Sequence, residues 1–174
     1  MLTGLGSEGE QDNSFQDGAM FRVLKTQRAR RSAVAAISPF VKRSRAAREI
    51  PDSLWFEPYF VGFMGMLITL MASRDHSLDT DDLAAVQSGS WAAITGMRAD
   101  LIGDEICSLS ADHDVRFELG CRNALSFFQV LQSGEAMSDL FQGRPEDPEQ
   151  QLRTANWSRH FDAYVNEYMI THMR

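Results

Sequence analysis

Cysteine is nearly missing from this chain, with Cys107 and Cys121 the only two among 174 residues. Two thiols give no disulfide framework, and their spacing fits no metal-binding pattern. Both sit among Ile106, Leu109, Leu119 and Leu125, which predicts buried, inert thiols rather than catalytic ones. The signatures of nucleotide, hydrolase and zinc-protease sites are missing as well: there is no P-loop, G-x-S-x-G, dinucleotide fingerprint or H-E-x-x-H. His76, His113, His160 and His172 form none of the Glu-x-x-His pairs of diiron bundles. Asp112-His113-Asp114 reads as the acidic start of a helix rather than a ligand set. No catalytic residue, metal or cofactor is expected. The start, MLTGLGSEGEQDNSFQDG, lacks both regions of a secretory signal, so the cytoplasm is the expected compartment.

Period-two alternation of β-branched residues is absent too, and with it any predicted sheet. A membrane span needs a longer apolar run than this chain has. Its most apolar stretch is WFEPYFVGFMGMLITLMA, Trp55 to Ala72. Pro58 suits the first position of a helix, leaving Tyr59–Ala72 as an apolar body of about 21 Å at ~1.5 Å per residue. A bilayer core is about 30 Å thick, and Glu57 would have to enter the lipid to lengthen the run. Integral membrane insertion is therefore not expected. Instead this is the central core helix of a bundle, buried on all sides.

What remains is helical rhythm. Residues 1–18 are polar and aperiodic, and read as a disordered acidic tail. The helical domain is expected over 19–174, a single all-α bundle of five or six helices. Pro39 is expected to bend or divide the first segment. SLDTDDLAAVQ starts a helix at Asp79 or Thr80 that continues to about Ser108. Ser110 or Asp112 caps the next, whose body carries Val115, Leu119, Leu125, Phe128 and Leu131 and stops at Gly134. EAMSDLFQ forms a short amphipathic turn ending at Gly143. Asp147-Pro148-Glu149 then starts a last helix carrying Leu152, Trp157, Phe161, Tyr164, Val165 and Tyr168.

Charge is strongly segregated. Residues 1–21 hold four acids and no base, whereas residues 22–48 hold nine bases and no acid. Downstream the balance is acidic, so the basic segment has acids to meet in its own chain, in a second copy or in a protein partner. Arg28, Arg31, Lys42, Arg43 and Arg45 are the candidate partner-binding residues. Such bases would also track a phosphate backbone, although no recognition helix or aromatic stacking platform accompanies them. Adjacent acids such as Asp81-Asp82 and Asp104-Glu105 read as solvated surface.

Gly89, Gly96 and Gly103 recur every seven residues, an interval that drifts only about 20° around a helix. The spacing predicts a bare stripe packed closely against Gly62 and Gly65 of the central helix. Phe60, Phe63, Met64 and Trp91 are candidates to line a small-ligand pocket. The function these features support best is a non-catalytic interaction or regulatory protein, self-associating, whose basic segment docks an acidic protein surface. Nucleic-acid association and small-ligand binding are the alternatives.

Overall fold

The computed structural model describes residues 11–74, 76–138 and 148–172. They form an all-α bundle with no strand. Helix α1 spans Gln11–Ala47 and is followed by a 3-10 turn at Asp52–Phe56. Then come α2 (Pro58–Ser73), α3 (Thr80–Thr95), α4 (Asp100–Ala111) and α5 (Val115–Ser138). Helix α6 (Pro148–Trp157) runs through a π-helical turn (Ser158–Asp162) into α7 (Ala163–His172). Among the described residues no helix is long and apolar enough to cross a membrane.

Helix α2 is the axis of the bundle, as its composition requires. Glu57 is extended at its N-cap and Pro58 takes the first turn, where the missing N–H costs no hydrogen bond. Tyr59 to Gly65 are buried without interruption, and Leu67, Ile68, Met71 and Ala72 continue the core. Fully burying one such large side chain is worth about 1.5–3 kcal/mol, so a helix with no polar face is stable only where neighbours cover it all round. Those neighbours are α1, α3, α4, α5 and the aromatic side chains of the last helical run.

Helix α5 comes nearest. A Cβ built on Gly62 would lie 2.2 Å from the Phe117 carbonyl oxygen, and one on Gly120 2.2 Å from that of Tyr59. The two backbones touch because both positions lack a side chain. Gly62 thus lies at a close crossing, but with Gly120 of α5 as its counterpart and not with the helix of Gly89, Gly96 and Gly103. Gly65 faces the Ile106 side chain of α4, 3.2 Å from its built Cβ.

The glycine stripe does not exist as a stripe. Gly96 ends α3 in the left-handed conformation, φ +82°, with its amide donating to the Ala92 carbonyl. α4 restarts only at Asp100. A Cβ on Gly96 or on Gly103 would meet nothing within 4 Å, and the three atoms nearest one on Gly89 all belong to the Arg30 side chain, at 3.1 Å.

Other boundaries moved as well. α1 begins at Gln11, ahead of Ala19, and passes through Pro39 undivided; residues 1–10 of the expected tail lie outside the described residues. Asp79 caps α3, accepting from the Asp82 amide at 2.8 Å. The cap of α5 is Asp114, which accepts from the Phe117 amide at 2.8 Å, because His113 at φ +51° makes the turn between α4 and α5. Gly134 does not stop α5, which continues to Ser138. Residues 139–147, with the second half of the expected EAMSDLFQ turn and with Asp147, lie outside the described residues. In α5 the buried side chains are Ala124, Phe127, Phe128 and Leu131, while Val115 and Leu125 are exposed. In the last run Trp157, Phe161 and Val165 are buried and Leu152 is exposed.

A polar knot fastens the last run to α1. The π turn adds a residue to the helical repeat, and the Ala163 amide donates to the Ser158 carbonyl. Within it Asp162 accepts from Ser44 Oγ at 2.5 Å and from Ser158 Oγ at 2.9 Å. Ser44, buried in α1, in turn accepts from the Trp157 indole at 2.9 Å. Tyr59 donates to the His160 carbonyl at 2.6 Å and accepts from Asn123 at 2.9 Å.

Candidate interaction surface

The nine bases of α1 and its end divide according to helical angle. Ala29, Ala33, Ile37, Val41 and Ser44 are the buried positions, and at about 100° per residue they occupy one arc of roughly 120°. Arg28, Arg31 and Lys42 fall together on the opposite side, within about 60° of one another. All three are exposed and form no ion pair among the described residues. They are the part of the predicted set that faces outward.

Arg43 and Arg45 do not belong with them. Arg43 donates to the Thr154 hydroxyl at 2.5 Å and to its carbonyl at 3.4 Å, with Asp162 4.0 Å away. Arg45 donates to the Thr95 carbonyl and lies 5.4 Å from the centre of the Trp55 ring. Their angles turn them toward neighbouring helices, where both hold the bundle together. Arg48 likewise donates to the Asp162 carbonyl at 3.2 Å and to Asn166. Arg22 pairs with Asp79 at 3.1 Å and with Asp82 at 3.3 Å. That contact leaves Asp82 buried, unlike the solvated acid expected there.

Beside the outer face runs a groove between α1 and α3. One open cavity of about 470 Å³ is bounded by Gln27, Arg30, Arg31, Val34 and Ala35 with Ala93 of α3. A second, about 430 Å³, adjoins Arg22, Val23, Thr26 and the same Gln27, with Asp82 and Ala85 opposite. The N-terminal part of α1 also exposes Met20, Phe21, Val23 and Leu24, with Phe21 78% exposed. Periodicity missed this patch and the groove, yet a signal was present. MFRVL places four large apolar residues in five consecutive positions, and no single buried face of a helix can take them all.

The candidate ligand pocket is filled. Phe60, Phe63, Met64 and Trp91 are each at most 2% exposed. Phe161 meets Phe60 edge-on at 5.2 Å, Trp157 meets Phe63 at 5.7 Å, and Trp55 meets Trp91 at 6.5 Å. The aromatic rings of the last run and the 3-10 turn occupy the space that a ligand would need.

Titratable chemistry is sparse elsewhere. Among the described residues no group of three His, Cys, Asp or Glu side chains could hold a metal ion. Cys107 is exposed at the surface of α4, contrary to its expected burial. Cys121 is half-buried against the α2–α5 crossing, and burial raises its thiol pKa above the ordinary value. Burial likewise pushes the Tyr59 hydroxyl above the usual phenol range, more than its bond from Asn123 lowers it. Neither group is activated as a nucleophile or base. Comparison with protein-family models, with curated proteins and with solved structures found no match.

Proposed function

We propose that this chain is a non-catalytic interaction and regulatory protein of the cytoplasm, which associates with itself and docks acidic protein surface on the outer face of α1. The observation that carries the reading is the angular sorting of the basic segment. Arg43, Arg45 and Arg48 are consumed inside the bundle, whereas Arg28, Arg31 and Lys42 share the one arc that meets neither core nor acid. Unpaired bases beside exposed Phe21 and Leu24 offer the charge and the apolar area that docking uses together. The residues of the small-ligand alternative, Phe60, Phe63, Met64 and Trp91, are buried in the core.

The test is the triple change Arg28→Gln, Arg31→Gln and Lys42→Gln, followed by sedimentation and by retention on DNA. Exposed charges contribute at most about 1 kcal/mol each, so the triple change should weaken assembly by about tenfold or more while leaving the melting temperature unchanged. Undiminished assembly with lost, salt-sensitive DNA retention would transfer the same face to a nucleic-acid role.

A further inference from the structure

Building on the docking role proposed for α1, we infer that self-association is head-to-tail: the α1–α3 groove of one copy receives helix α4 of the next. Residues 99–115 are the electrostatic complement of the basic segment, holding five acids and no Lys or Arg. Along the outer side of α4, Leu101, Asp104 and Ser108 are exposed on one face. Leu101 and Val115 are apolar side chains left in solvent, as Met20, Phe21 and Val23 are on α1. Asp104 and Glu105 form no ion pair among the described residues.

The dimensions agree. Helix α4 is 12 residues long, about 18 Å at ~1.5 Å per residue. The groove follows α1 from Arg22 to Ala35, about 20 Å on the same scale. Arg22 is already paired with Asp79 and Asp82, which leaves Arg30 and Arg31 to receive Asp104 and Glu105 while Leu101 lies against Val34 and Ala35. An isologous contact of α1 with α1 would instead set Arg28 and Arg31 against their own copies, where like charges repel. Repulsion therefore disfavours α1 against α1 and leaves the groove-to-α4 contact, which closes as a reciprocal pair or a ring or extends as a filament. One short helix in a groove buries less than the roughly 1,200 Å² of a standard interface, so assembly should be weak and concentration-dependent.

The test disables one surface at a time. Arg30→Glu with Arg31→Glu removes the groove, and Asp104→Lys with Glu105→Lys removes the helix that fills it; circular dichroism and melting verify that each variant folds. Sedimentation of the parent should show mass rising with concentration above the 19.6 kDa monomer. Each variant alone should stay monomeric, since its groove and its α4 then carry like charge, yet a one-to-one mixture should assemble again, because each groove meets an α4 of opposite charge on the other variant. Milder changes, Arg31→Gln and Asp104→Asn, should each weaken assembly severalfold and serve if a reversal disturbs folding. Undiminished assembly of the Asp104→Lys, Glu105→Lys variant would overturn the head-to-tail contact. The docking role of α1 would survive that result if the Arg28, Arg31 and Lys42 changes still dissociate the parent. A parent that stays monomeric at every concentration would overturn the contact as well, leaving α1 to an acidic partner of another kind.

Discussion

Adding one methyl group at Gly62 tests the central claim about the fold, that α2 and α5 meet backbone to backbone. An ideal Cβ there lies 2.2 Å from the Phe117 carbonyl oxygen, 2.9 Å from its carbon and 3.2 Å from its Cα. All three are main-chain atoms of a helix, so no rotamer change relieves the overlap. Restoring ordinary contact requires one helix to retreat by roughly 1 Å, and a gap of that size forfeits roughly a quarter to a half of each dispersion contact across the interface. Overpacking costs about 1–3 kcal/mol, and a rigid neighbour places Gly62→Ala near the upper end. Alanine's better helix propensity returns about 1 kcal/mol, so the net loss should be about 2 kcal/mol. For a chain of this size that lowers Tm by about 4–8 °C.

Gly120→Ala should behave alike, because its Cβ would meet Tyr59 O at 2.2 Å and Phe63 N at 2.8 Å. Once one methyl has parted the helices, the second enters space already opened. The double variant should therefore lose less than the sum of the single losses. Urea unfolding followed by far-UV circular dichroism measures all three. A Gly62→Ala protein as stable as the parent would refute the close crossing, and strict additivity would refute its being a single contact.

Gly96 and Gly103 separate two glycines that look equivalent by spacing. Gly103→Ala, with open space around an interior helical position, should stabilise by about 0.4–1 kcal/mol in urea. Gly96→Ala should destabilise by about 1–2 kcal/mol, since φ is +82° and a Cβ is strained there, and Gly96→Asn should recover part of that. His160 has its pKa lowered from 6.5, first by burial and then by Arg159. The neutral form is thus favoured in the fold: its contribution is full above pH 6.5 and falls as acid protonates the unfolded chain first. Urea midpoints measured below that pH should drop less steeply for His160→Gln than for the parent, and parallel curves would refute the assignment.

The central helix was legible because length and composition decide it. An apolar body too short for a bilayer and lacking a polar face has only a bundle interior to occupy, and α2 is there. Local capping chemistry was legible at Pro58 and Asp79 for the same reason, since it depends on a few neighbouring residues. Pairing was not. Gly62 announced a close approach, but Gly120 stands alone in FELGCRN and no local pattern says which helix will reach it. Gly96 failed differently: its seven-residue spacing is what a helical stripe requires, yet period cannot distinguish an interior glycine from one that ends a helix in the left-handed region. Phe60, Phe63, Met64 and Trp91, expected as the lining of a small-ligand pocket, are buried in the core. Only the structure shows Trp157 and Phe161 arriving from a hundred residues downstream to fill the space between them.

The basic segment shows why composition alone overstates an interaction surface. Nine like charges in 27 residues look like one patch, but a helix distributes consecutive positions around its axis at about 100° each. Bases flanking the buried arc are drawn into the bundle. Arg43 reaches Thr154 and Asp162, Arg45 caps the Thr95 carbonyl at the end of α3, and Arg48 takes the Asp162 carbonyl. Their positive charge answers carbonyls and a carboxylate that the folding of α3 and the last helical run brings close, so removing them should damage the bundle before any partner is lost. Arg28, Arg31 and Lys42, opposite the arc, form no ion pair among the described residues. The same geometry that satisfies four of the nine bases internally sets three others on a single outward stripe. A helix that packs on one side and presents charge on the other has to be long and continuous, as α1 is across its basic residues 22–47.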